Sequence, residues 1–280
     1  MTAAAQTATI PAPSRRRPAH AQALGALAAR RFALTARTPR ELVVPLLTPI
    51  LFALVIAPAL KAALHTSTSY ESYVAIGTVG LLVPLNTFFL GLGVIVDRDS
   101  GAQRELLAAP VPRALLVVAN LVVALAITGL QIGTLVAFAV ARRIHFSPHG
   151  GGVLWFLAAA ALLSVAMYGA AETLAARVPR QEEYIARVPA IAIAPWFLAG
   201  ALFPITAMPV GLTWVARFLP LTHALALMRY GLLDDSSGLH AIWRMHDATA
   251  SAAASLTVVA VFALLFVRIG IRAFTRAAMR

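Results

Sequence analysis

Two long stretches without a single charge constrain this chain more than anything else in it. Tyr73–Val96 and Ala114–Ala141 contain no Asp, Glu, Lys or Arg. A helix rises about 1.5 Å per residue, so roughly 20 apolar residues cross the hydrocarbon core of a bilayer, and both runs suffice. Composition agrees, because 60% of the 280 residues are hydrophobic and only 12% charged, with a mean hydropathy of +0.81. A soluble domain carries about 25% charged residues. Lipid is therefore the solvent for most of the chain, and the expected fold class is an all-α integral membrane protein.

Six transmembrane helices are expected, over about 42–60, 73–96, 114–141, 153–172, 188–208 and 248–267. Residues 1–19 are Ala, Thr and Pro with three arginines and read as a disordered cytoplasmic tail. From His20 to Arg37 the pattern is weakly amphipathic. Leu24, Leu27, Ala28, Phe32 and Leu34 share one arc, with Arg31 intruding, which predicts an interfacial helix over about 20–40. Pro84, Pro189 and Pro195 fall inside spans, where neighbouring helices must re-satisfy the freed backbone groups. From Pro209 to Gly231 an apolar segment is broken by Arg217, Pro220, His223 and Arg229. Its uncharged stretches are too short for a crossing and suit a re-entrant or interfacial helix between spans five and six. Trp214 and Tyr230 read as interface anchors.

The net charge of +12 does not point to nucleic acid, and no such partner is expected. Arginines beside spans set orientation and meet anionic headgroups of the lipid bilayer. With both termini cytoplasmic, 17 of the 23 basic residues fall on the inner side. The positive-inside rule thus predicts both ends in the cytosol, and a multi-pass protein of the plasma membrane is expected.

Catalytic chemistry is poorly represented. Cysteine is absent, which excludes disulfides, thiolate metal sites and thiol nucleophiles. No HExxH or GxSxG occurs, and the only lysine, Lys61, follows Leu60, so there is no phosphate-binding P-loop. Any ATP must be bound by another polypeptide. His65, His145, His149, His223 and His240 are scattered, and no metal site is expected. Asp234 and Asp235, beside Ser236–Gly238, predict an exposed turn. Within spans, Asn86, Asn120 and Gln131 are candidates for a substrate path or for hydrogen bonds between helices. Glu172, near a span end, reads as solvated.

The segment between the two uncharged runs has a distinct grammar. Asp97, Arg98 and Asp99 precede Ser100–Gly101, and a short helix, Ala102–Ala109, sets Arg104 and Glu105 opposite Leu106 and Leu107. Pro110 and Pro112 end it, and Arg113 marks the membrane boundary. Taken alone, this is a solvated loop with positive-inside arginines. Its order, however, resembles the ABC-2 type permeases, including the daunorubicin-resistance group. That family shows an acidic–basic–acidic triplet, Ser-Gly-Thr, a short charged helix ending Leu-Leu, and Pro-Val-x-Arg. Here Ala102 stands where threonine is usual, while Pro110, Val111 and Arg113 match. Phe197–Pro204, Met208–Pro209, Leu219–Thr222 and Arg229 are similar to the family's fifth span and outer hairpin, with Ala199 replacing a usual serine. That resemblance implies a re-entrant outer hairpin between spans five and six.

The resemblance implies an ABC-2 type transmembrane domain over 20–280 that pairs with a second copy of itself and with two copies of a separate ABC ATP-binding subunit. ATP and Mg would be used by that subunit, with no cofactor bound here. The implied cargo is a hydrophobic or amphipathic small molecule, a drug or natural product, moved outward. Export of a lipid-linked saccharide, and a non-transporting scaffold or immunity protein, are the alternatives. Asp97, Arg98, Asp99, Gly101, Arg104 and Glu105 would form the ATPase-coupling contact. Pro204, Pro209, Pro220 and Arg229 would form an outer gate.

Overall fold

The computed structural model describes residues 20–38 and 69–277, with isolated positions between 43 and 59. The tail and most of the expected first span, 42–60, lie outside the described residues. The described chain forms α1 (His20–Ala36), α2 (Ser69–Asp99), α3 (Ala102–Ala108), α4 (Arg113–Ala141) and α5 (Gly152–Arg177). It continues with α6 (Gln181–Leu198), α7 (Val210–Phe218), α8 (Pro220–Leu233), α9 (Ser237–Trp243) and α10 (Ala248–Ala277). Among the described residues there is no strand. Helices α2, α4, α5 and α10 are long and apolar enough to cross a membrane, and the bent pair α7–α8 makes a fifth if taken as one span.

Helix α2 is the hub. In its most apolar stretch 78% of the residues are buried, against 28% for α10, which therefore sits at the periphery. Packing on α2 are α4, α5, α6 and α8, while α10 lies mainly along α5. The α5–α10 seam is built from small residues. A Cβ at Gly169 would fall 2.5 Å from the Phe266 carbonyl carbon, and one at Gly270 would meet the Gly169 oxygen at 3.0 Å. In lipid, apolar side chains gain little by hiding from the solvent, so close backbone packing is what holds helices together. The opposite faces carry Leu154, Leu157, Val261 and Leu264, all exposed. Such a surface aggregates in water and suits contact with acyl chains.

The structure departs from the expected elements in three places. The stretch expected as span five, 188–208, is helical only to Leu198, and its helix begins earlier, at Gln181. Glu182 and Glu183 sit in the first turn, where they favour the positive end of the helix dipole. Gly200, at φ +76°, then turns the chain out of helix, a conformation costly for any residue with a Cβ. Helix α1 forms as expected but turns another face inward. Ala23, Leu27, Arg31 and Thr35, four apart, face the bundle and pack towards α4, whereas Phe32 and Leu34 are exposed. Tyr230, expected at the interface, is buried against His149 and Trp155, while Trp214 is exposed.

Candidate functional site: a locked elbow and a broken hairpin

The elbow between α2 and α4 is tied down from two sides. Arg31 donates from Nη1 to Asp97 Oδ2 at 3.4 Å and from Nη2 to the Leu90 carbonyl at 2.9 Å, and its guanidinium fills the space left by Gly93. Arg30 donates to Asp97 Oδ1 at 3.1 Å. Asp97 and Arg31 are both buried. Arg98 points the other way and donates to the carbonyls of Ala175, Val178 and Pro179 at 3.2, 3.0 and 2.9 Å. It thereby satisfies a carbonyl in the last turn of α5, at Ala175, and those of Val178 and Pro179 just past its end. One dipeptide, Asp97–Arg98, joins α1, α2 and α5.

Beyond that lock the elbow faces outward. Gly101 takes φ +80° and starts α3. Gln103 and Leu106 turn in towards Leu27, Arg30 and Asp97, while Asp99, Ser100, Arg104 and Glu105 are exposed. The six residues expected at a partner contact thus divide by geometry. Asp97 and Arg98 bind within the chain, and Gly101 sets the turn. Asp99 is exposed and pairs with Arg98 at 3.7 Å, while Arg104 and Glu105 are exposed with no ion pair among the described residues.

At the far end of α2 the chain solves a different problem. After Leu198 the backbone runs irregularly until a single 3-10 turn, Ile205–Ala207. Non-helical carbonyls at membrane depth need partners, and side chains of α2 and α8 supply them. Tyr73 donates to the Gly200 carbonyl at 2.8 Å, Arg229 to Ala201 at 3.0 Å, and Tyr70 to Leu202 at 3.0 Å. From α6, Trp196 donates to the Gly77 carbonyl at 2.7 Å, and Gly77 itself leaves room for the Ala201 backbone. The Arg229 guanidinium also lies 3.4 Å from the Tyr73 ring centroid, a cation–π contact. Helices α7 and α8 then meet at 82°, with Pro220 in the first turn of α8. Pro204 and Pro209 flank the 3-10 turn on the exposed side. His223 bonds the Arg217 carbonyl and the Ser255 hydroxyl, and Trp243 also donates to Ser255, which pins the hairpin to α9 and α10.

Along α2, Gly77 lies 20 residues and Tyr73 lies 24 residues from Asp97. That is about 30–36 Å, one hydrocarbon thickness. Elbow and hairpin therefore sit at opposite faces of the bundle.

The polar residues expected in a substrate path are spread out. Asn86 is buried, with neither side-chain nitrogen nor oxygen hydrogen-bonded among the described residues. Asn120 lies by the elbow, beside Asp97 and Gln103, and Gln131 is buried further along α4. Glu172, expected in water, is instead fully buried and accepts a 2.9 Å hydrogen bond from Tyr168. The helix continues to Arg177, so Glu172 lies more than a turn inside its end. Asp234 is exposed and ends α8 in a turn, as its neighbours predict. Among the described residues no three His, Asp or Glu side chains gather where they could hold a metal.

Sequence reasoning missed Arg31, Tyr70, Tyr73 and Trp196. For Arg31 a signal existed, since an arginine inside an apolar arc needs a countercharge. For Tyr70 and Tyr73 none did, because the carbonyls they serve lie in a loop read as helix, and Trp196 serves the Gly77 carbonyl of a distant helix, which no local pattern marks. No curated protein matches the chain. A family model described as ABC-2 type transporter matches residues 22–233, spanning both the elbow and the hairpin. The chain belongs to the ABC-2 type transporter family and is the membrane permease of an ABC exporter.

Proposed function

We propose that the chain exports a hydrophobic or amphipathic small molecule, driven by ATP and Mg used in a separate ABC ATP-binding subunit. Two copies of that subunit would serve a homodimer of this chain in the plasma membrane, with both termini cytoplasmic. Family membership supports the partner, because ABC-2 permeases generally work with an ATP-binding subunit. Six crossings follow if residues 42–60 form the first and α6 the fifth. Helix α6 has 18 residues and reaches only about 27 Å. The α7–α8 hairpin, dipping in from outside, would complete that layer.

The observation that carries this reading is the division within the elbow. Arg104 and Glu105 offer exposed charge with no ion pair among the described residues, and Asp99 is exposed beside Arg98 at 3.7 Å, while Asp97 and Arg98 tie the same segment to α1 and α5. A push on the exposed half is thus delivered to three helices rather than absorbed by a loose loop. Reversing one exposed charge tests it. Glu105→Arg should leave insertion and folding intact but weaken coupling, lowering cargo-stimulated ATPase activity of the purified complex at least about tenfold. Wild-type stimulation in that variant would remove the assignment.

A further inference from the structure

We propose that the hairpin holds a binding site for an oxyanion of the phosphate kind. A cavity of about 210 Å³ opens between the broken end of α6 and helices α8 and α9. A water occupies about 30 Å³ of liquid, so this is room for about seven. Thr206 and Ser237 stand exposed at its mouth, and Thr222 and Arg229 line its buried part. Among the described residues two atoms there have no hydrogen-bond partner, Arg229 Nε and Thr222 Oγ1.

Holding the Ala201 carbonyl and stacking on Tyr73 uses one of the five N–H groups that Arg229 carries. Among the described residues no carboxylate reaches ion-pair distance of it. Asp235, which acts on Arg229 through space, instead accepts the Ser237 amide at 2.9 Å. A buried guanidinium with no carboxylate at ion-pair distance and its Nε unused, in a cavity with a second unused hydroxyl, can recognise a ligand as well as brace the Ala201 carbonyl. Oxyanions match it, because they accept hydrogen bonds from a guanidinium and a hydroxyl together. The group can come from a lipid headgroup or from free phosphate. The site deepens the export reading by giving the outer hairpin a ligand. Its test needs no transport, so the two can fail separately.

Full-length protein in maltoside detergent would be titrated with inorganic phosphate, with dihexanoylphosphatidylglycerol and with uncharged dihexanoylglycerol, following thermal stability and calorimetric heat. Stabilisation by inorganic phosphate supports a free-anion site, and stabilisation by the phosphatidylglycerol alone supports a headgroup site. Thr222→Val, which keeps shape and melting temperature, should weaken binding about tenfold. Arg229→Lys, which keeps the charge but removes the guanidinium fork, should weaken it further. Equal response to the phosphatidylglycerol and the uncharged glyceride, with none to inorganic phosphate, would overturn the assignment. So would unchanged affinity in both variants.

Discussion

Arg31 brings a positive charge to a largely buried place, and Asp97 makes that arrangement tolerable. Desolvating the pair costs several kcal/mol per ion, recovered only through close pairing and the extra bond to the Leu90 carbonyl. Removing one partner is therefore worse than removing both. Asp97→Asn should destabilise the protein by about 3 kcal/mol, seen as a lower melting temperature in detergent. Combining it with Arg31→Met should recover much of that loss, and equal melting temperatures for parent and single variant would refute the pair's structural role. This residue scale was the least legible in the sequence. Arg31 and Asp97 stand 66 positions apart, and no local pattern joins them. Glu172 was misread because a carboxylate near a span end normally finds water, whereas here α5 continues to Arg177 and Tyr168 takes the carboxylate.

Elements are where the sequence spoke most clearly. Uncharged runs long enough to cross a bilayer have one way to satisfy their backbone, and α2, α4, α5 and α10 follow them closely. The fifth run misled for the same reason, because FLAGALFP is apolar and carries no charge to mark where helix ends. Its end is fixed by tertiary bonds from Tyr70, Tyr73 and Arg229, which hydropathy does not report. How tightly elements pack also escapes composition. Gly169 admits the α10 backbone, so Gly169→Val must push α10 away from α5. Overpacking of this kind costs about 1–3 kcal/mol. The expected outcome is a lower melting temperature with helix content by circular dichroism unchanged. A variant as stable as the parent would show that the seam yields freely.

At the scale of the whole molecule, the two ends of α2 carry different tasks about one membrane thickness apart. One end binds the elbow into the bundle, and the other satisfies a break in α6 around a cavity. Force applied at the elbow has a direct route along α2, the most buried of the four spanning helices, to the hairpin. That arrangement has meaning for an exporter only if the elbow faces the compartment that holds ATP. The chain has no cysteine, so a single introduced thiol reports its own position without background. Ser100 is exposed at the elbow and Thr206 at the hairpin. Labelling Ser100→Cys and Thr206→Cys with a membrane-impermeant maleimide, in intact cells and in inside-out vesicles, is the most direct measurement. The account predicts that Ser100→Cys reacts only in inverted vesicles and Thr206→Cys only in intact cells. Reaction of Ser100→Cys from outside intact cells would contradict it.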